Sequence, residues 1–162
     1  MANIVLARID SRLIHGQVIT KWMKQANASH ILIIDDTLSK DPFMGKVYKI
    51  AAPPSCQVHI KSVDEGVEAL KNNESPTRLL LLFKDVATAK RCWQAGLLLK
   101  QLQVGGLIGA PGRKVVFQSI TLIKSEADDL LEMQKGGVEI IFQTVPEDYP
   151  GKLTDVLQGA KL

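Results

Sequence analysis

Ile4-Val5-Leu6-Ala7-Arg8-Ile9-Asp10-Ser11-Arg12-Leu13-Ile14-His15-Gly16-Gln17, followed by Val18, Ile19, Trp22, Met23 and Ala26, is the stretch on which the reading of this chain turns. Ile4 to Ala7 is an apolar run of strand length and reads as a buried parallel strand. Val18 to Ala26 carries apolar residues at helical spacing, one face of a helix. Arg8 to Gln17 is then a loop from the C-terminal end of a strand to the N-terminus of a helix. Open α/β sheets bind ligands at such places. Helix N-termini attract anions through unpaired N–H groups and the macrodipole.

Working outward, apolar strands alternate with amphipathic stretches. Ile31–Ile34 is a second buried strand. Asp41-Pro42 reads as an N-cap with proline at N1, opening a helix that buries Phe43, Met44, Val47, Ile50 and Ala51 and stops at Pro53-Pro54. Gln57–Ile60 is a short strand, and Ser62 or Asp64 caps a helix through Val67 and Leu70. Arg78–Phe83 is nearly all apolar and reads as a central strand. Asp85–Leu98 is a helix, and Leu102–Val104 a strand ending in Gly105-Gly106. Val115–Phe117 is a strand or a helical turn, and Ile120–Ile123 a strand. Ser125-Glu126-Ala127-Asp128 resembles a capping box that opens a helix to Lys135, ended by Gly136-Gly137. Val138–Phe142 reads as an edge strand. This rhythm predicts a mostly parallel sheet covered on both faces.

At 162 residues, 46% apolar and 23% charged, the chain fits one globular domain spanning 1–162. No apolar run approaches the ~20 residues that cross a bilayer, and the N-terminus shows no signal-peptide pattern. Cys56 and Cys92 lack metal spacing and read as cytosolic thiols. Aromatic residues make up only 5%, with no basic-aromatic interleaving, which argues against a nucleic-acid surface. The run Gly105–Gly112 matches neither nucleotide-binding glycine motif and reads as a loop needing unusual φ angles.

Charge sharpens the reading of the first loop. The chain carries 20 Lys+Arg against 17 Asp+Glu. Residues 1–25 hold Arg8, Arg12, Lys21 and Lys24 against Asp10 alone, so the whole formal excess lies on and just after this loop. The pattern points to an anionic ligand or an acidic partner surface. A neutral His15 is a competent nucleophile toward phosphorus. Arg8 and Arg12 suit the equatorial oxygens of a transferring phosphoryl group, being always charged and fork-shaped. Asp10 repels phosphate and is fit instead to orient an arginine or the imidazole, or to cap the helix. The N–H groups from Ile14 through Gly16 to Gln17 finish an anion pocket. Phosphoryl transfer asks mainly for positioning and charge stabilisation, which these residues supply. Leu13-Ile14-His15-Gly16 lacks the arginine that precedes the histidine in R-H-G phosphatases. His59 reads as structural or surface, and His30 as the start of a strand. Two classes stay open on these grounds: a phosphotransferase using a covalent phosphohistidine, and a non-enzymatic anion-binding module in which His15 is only a contact.

The eleven residues Arg8 to Val18 resemble the active-site loop of the IIB component of the mannose/fructose/sorbose family, part of the bacterial phosphoenolpyruvate-dependent sugar phosphotransferase system. Ile33–Asp36, Lys40–Pro42, Ala51–Pro53, Val104–Gly106 and Gln143–Pro146 resemble further segments of such proteins. The departures are the insert-like Gly109–Gly112 loop and Ser11, where an acidic residue is frequent. The resemblance implies a three-layer α/β/α sandwich around a mainly parallel sheet, with the last strand antiparallel. It implies that His15 receives phosphate on Nδ1 from a phosphohistidine of the IIA component. His15 then passes it to a hexose of the mannose, fructose, sorbose or N-acetylgalactosamine class at the membrane-embedded IIC and IID components. Arg12 and Arg8 would hold the phosphoryl oxygens, with Asp10 in support, and neither metal nor nucleotide cofactor is needed. The implied location is cytoplasmic, peripherally associated with the membrane permease, and compatible with a homo-oligomer. Acidic docking partners would be steered to the basic surface that includes Lys21 and Lys24.

Overall fold

The structure is a computed structural model that describes residues 2–162. The chain alternates strands and helices in the order β1 (Asn3–Asp10), α1 (Gly16–Ala26), β2 (His30–Ile34), a 3₁₀ turn (Leu38–Lys40), α2 (Pro42–Ala51), β3 (Gln57–Lys61), α3 (Val63–Asn72), β4 (Arg78–Phe83), α4 (Val86–Gln94), β5 (Gln101–Gly106), the hairpin β6 (Lys114–Phe117) and β7 (Ile120–Leu122), α5 (Lys124–Lys135), β8 (Glu139–Phe142), β9 (Gly151–Lys152) and α6 (Leu153–Ala160). Strand order in the main sheet is β3-β2-β4-β1-β5-β8-β9. Every neighbouring pair in it is parallel except β8–β9. The mainly parallel α/β sheet with an antiparallel last strand is therefore present. β4, apolar along nearly its whole length, lies between β2 and β1 as its composition predicts.

Several local readings hold because they depend on near neighbours alone. The Asp41 carboxylate accepts from Met44 N–H at 3.1 Å, with Pro42 in the first turn. Ser62, rather than Asp64, caps α3, accepting from Glu65 N–H at 3.2 Å. The expected Ser125-to-Asp128 capping box is corrected: α5 starts at Lys124 with Ile123 as its N-cap residue, Ser125 lies inside the helix, and Glu126 accepts from Ile123 N–H at 3.0 Å.

Other readings change. β1 runs through Arg8, Ile9 and Asp10, which pair with β4 and β5, so these three belong to a strand and not to a loop. α4 stops at Gln94. β8 is not an edge, because the short β9 pairs outside it. Val115 and Phe117 pair with Thr121 and Ile120 in a hairpin separate from the main sheet. α2 turns the expected face outward: Phe43, Val47 and Ile50 are 75%, 41% and 74% exposed, and Ala51 is exposed as well. The helix packs instead through Gly45, Tyr48 and Ala52. A Cβ on Gly45 would lie 3.3 Å from Ile60 Cδ1, so the absent side chain lets α2 sit close on β3.

Two apolar clusters lie on opposite faces of the sheet. One gathers α1 and the inner side of α2 over Ile31, Ile33, Leu80 and Leu82. The other gathers α3, α4, α5, α6 and the hairpin over Ile9, Leu81, Phe83, Val104 and Phe142. The chain leaves β1 toward the first face and β5 toward the second. The crevice between the C-terminal ends of these adjacent strands is the ligand-binding position of an open α/β sheet. No helix among the described residues is long and apolar enough to cross a membrane.

Candidate active site

The site is built around Asp10, the last residue of β1, which is 1% exposed. Its Oδ1 accepts from Arg12 N–H at 3.0 Å. Its Oδ2 lies 3.0 Å from His15 Nε2 and accepts from Arg8 Nη2 at 3.3 Å. A carboxylate only accepts hydrogen bonds, so Nε2 carries the imidazole proton and the Nδ1 lone pair is left free. Of the alternatives offered for Asp10, it contacts both an arginine and the imidazole, and it does not cap α1.

Arg8 is 1% exposed, and both terminal nitrogens are engaged inside the protein. Nη1 donates to Gln103 Oε1 and to the Gln143 carbonyl (3.0 Å), and Nη2 to Asp10 and to the Thr144 carbonyl (3.0 Å). The guanidinium carbon lies 5.4 Å from the Trp22 ring centre. Burial pulls its pKa below the ordinary arginine value while Asp10 opposes the fall, and it stays charged. The expectation that Arg8 grips phosphoryl oxygens is therefore corrected, since no donor of its fork faces the surface. Arg8 holds Asp10 and the segment after β8 instead.

Sequence reading missed that surrounding shell. Gln103 Nε2 reaches Gln143 Oε1 at 3.4 Å, and Gln143 Nε2 donates to the Asp148 carbonyl at 2.9 Å. Trp22 Nε1 donates to the Thr144 carbonyl at 2.9 Å. The available signal was the pair Gly105-Gly106. Neither has positive φ, so the expectation of unusual backbone angles holds only for Gly112 in that run. Both glycines make room: a Cβ on Gly105 would overlap the Arg8 guanidinium, and one on Gly106 would lie 2.9 Å from Asp10 Oδ1.

The loop after Asp10 bends sharply. Leu13, buried and with its N–H on the Asp10 carbonyl at 2.9 Å, takes φ 56°, and Gly16 takes φ 48°. A left-handed leucine costs roughly 1–2 kcal/mol, and such strain is held where surrounding contacts determine it. Ser11 is tied to the loop after β5, its Oγ accepting from Ile108 N–H at 3.3 Å. His15 is the N-cap residue of α1 but makes no side-chain cap, so the first N–H groups, on Gly16 and Gln17, lack intrahelical partners. Ile14 sits two residues before the first residue of α1, with its side chain in the core.

Arg12 is half exposed, with Nε 3.9 Å from Asp10 Oδ1. Its terminal nitrogens make no hydrogen bond among the described residues. Lys21 pairs with Glu147 at 3.3 Å, while Lys24 is exposed in the last turn of α1, at the far end from His15. The four cations thus serve different ends: one is buried and one is paired on the surface. His30 and His59 lie elsewhere, stacked at 5.6 Å on neighbouring strands.

Residues 4–162 match the family model described as PTS system sorbose subfamily IIB component. The sorbose-specific EIIB component of Klebsiella pneumoniae is 32% identical over 154 residues, 94% of each chain. The mannose-specific EIIAB component of Escherichia coli is 28% identical over 155 residues; this is 95% of the present chain, which spans about half (48%) of that relative. The crystal structure of manxB from Thermoanaerobacter tengcongensis superposes with a TM-score of 0.90 at 39% identity, covering 96% of this chain and 95% of the other. The matched span runs from β1 to the C-terminal residue, and the chain belongs to the sorbose subfamily of IIB components of the phosphotransferase system.

Proposed function

We propose that this IIB component carries a phosphoryl group on Nδ1 of His15, taking it from a phosphohistidine of a IIA component. It then delivers the group to a hexose handled by membrane IIC and IID components. The observation that carries the reading is the 3.0 Å contact between the buried Asp10 carboxylate and His15 Nε2. That contact assigns the ring proton to Nε2 and leaves the Nδ1 lone pair unengaged, on the residue that precedes a helix N-terminus without a side-chain cap.

In the first step the Nδ1 lone pair forms the new N–P bond as the donor's N–P bond breaks, and the donor nitrogen recovers its lone pair. The Nε2 proton stays on His15, and the positive charge that develops on the ring faces Asp10. In the second step a sugar hydroxyl oxygen attacks phosphorus, the His15 N–P bond breaks, and the hydroxyl proton leaves to solvent or a base of the acceptor. Arg12 and the N–H groups of Gly16 and Gln17 meet the phosphoryl oxygens. Arg8 positions Asp10, and Ile14 serves through its backbone. Arg12 and Lys24, with Lys21 shared with Glu147, give acidic partners a steering field. Such a chain works on the cytoplasmic side, beside its membrane components.

Incubation with phosphoenolpyruvate and the general phosphotransferase components, followed by mapping of the label, tests this. Acid-labile, alkali-stable phosphate on His15, absent in His15→Ala, is expected. Label on His59 or on a serine overturns it, and binding of phosphate without covalent label favours the anion-binding module.

A further inference from the structure

The apolar face that sequence periodicity assigns to the core of α2 is its solvent face. Phe43, Val47 and Ile50 stand at i, i+4 and i+7 and form one stripe. Lys46 and Lys49 are exposed along the flank of the stripe, and Lys40 is exposed just before the helix. The carboxylates nearest α2, on Asp35, Asp36 and Asp41, precede the helix and lie on the side of Lys40, whose charge acts on Asp36. Asp41 caps α2, Asp35 accepts from Leu38 N–H at 2.8 Å, and Asp36 is held by Arg91 and Val63. None of the three lysines has an ion-pair partner among the described residues. An exposed apolar stripe flanked by the unpaired Lys46 and Lys49 marks an interaction surface.

α2 meets the site loop through its inner side, and the stripe runs along the outer side of the same helix. Leu13, two residues before His15, shares one apolar cluster with Leu38 and Tyr48, and lines a small cleft with Met44 and Tyr48. A protein that exchanges a group with His15 covers about 800 Å² on each partner. That is a disc of radius about 16 Å, wide enough to run from the site loop along the ~15 Å of α2.

We propose that the outer face of α2 docks the soluble phosphoryl donor of His15, through an apolar patch on that donor rimmed by carboxylates. The inference rests on the assignment of His15 as phosphoryl acceptor and adds the surface by which its donor is recognised. A second copy of this chain fits poorly, because a two-fold contact brings Lys46 and Lys49 against their own equivalents. A membrane-embedded acceptor also fits poorly, because cytoplasmic loops of membrane proteins carry excess Lys and Arg. A soluble donor has no such bias.

A purified IIA component that labels wild-type His15 is selected first. Absence of label from every donor overturns the underlying assignment, and this inference with it, at that step. Single-turnover transfer is then followed against donor concentration for the wild type, Phe43→Ser/Ile50→Ser and Lys46→Glu, with thermal melts to establish folding. The double variant is expected to raise the half-saturating donor concentration at least about tenfold, with an unchanged rate at saturation. Lys46→Glu is expected to slow association and flatten its salt dependence. Half-saturation within twofold of wild type in both variants overturns the proposal. It is also overturned if the stripe variants act by dissolving a dimer seen in sedimentation equilibrium, or by abolishing binding to anionic phosphatidylglycerol vesicles, while donor affinity stays as in wild type.

Discussion

Asp10 Oδ2 stands 3.0 Å from His15 Nε2, and the same oxygen accepts from Arg8 at 3.3 Å. One buried carboxylate thus joins the imidazole at the surface to a guanidinium in the interior. The ion pair is kept by geometry, because either charge left alone at this depth is costly.

Asp10→Asn keeps an acceptor near Nε2 but removes the charge that faces the His15 ring and balances Arg8. Phosphoryl transfer should slow by about 100-fold or more. Stability should fall by about 3–5 kcal/mol, the usual cost of stranding one member of a buried pair. Rapid-quench kinetics and urea denaturation read the two effects separately. A loss of stability without loss of rate would show that the carboxylate only supports the fold.

Arg12→Lys keeps the charge and loses the fork. Because Arg12 is half exposed, the melting temperature should not move. The barrier to transfer should rise by about 2.7–4 kcal/mol if Arg12 holds the transferring group. Wild-type single-turnover rates would remove Arg12 from the transition state.

Gly105→Ala places a methyl group where the Arg8 guanidinium lies. Overpacking of this kind costs about 1–3 kcal/mol, visible in chemical denaturation. The displaced arginine should also weaken phosphoryl transfer, through Asp10. Gly159→Ala, in α6 with open space at the Cβ position, should stabilise by up to about 1 kcal/mol and serves as the control.

His59 should make the protein less stable in mild acid. Partial desolvation of this surface ring lowers its pKa from the usual histidine value, and His30, Lys61 and Lys49 add repulsion. The unfolded chain therefore binds a proton that the folded chain resists. The stability present above about pH 6.5 is lost as pH falls toward the lowered folded value. His59→Gln should flatten urea-denaturation stability between pH 7 and 5. An unchanged slope would assign the acid sensitivity to other groups.

Much was legible from short stretches. The Asp41-Pro42 start of α2, the Ser62 cap, the apolar β4 and the loop around His15 each depend on residues within a few positions of one another. Hydrogen-bonding caps and 2.0- or 3.6-residue periods are local physics. What failed was long-range. Arg8 meets Gln103 across 95 positions and Thr144 across 136, and no local pattern shows that a charged residue after an apolar run stays in the strand.

The sequence by itself determined the alternation of strands and helices from β1 to β8, though not β9 and α6, and the place of the basic loop with His15 at a strand's C-terminal end. These follow from spacing and side-chain type. Only the tertiary structure decided that Arg8 is an interior anchor, that Gly105 and Gly106 are small because Arg8 and Asp10 fill the space, and that α2 shows Phe43, Val47 and Ile50 to solvent. Each depends on which surfaces meet once the sheet is assembled. A helix with apolar residues all round is seated by the neighbour that packs most closely, here β3 against Gly45, and not by its own periodicity.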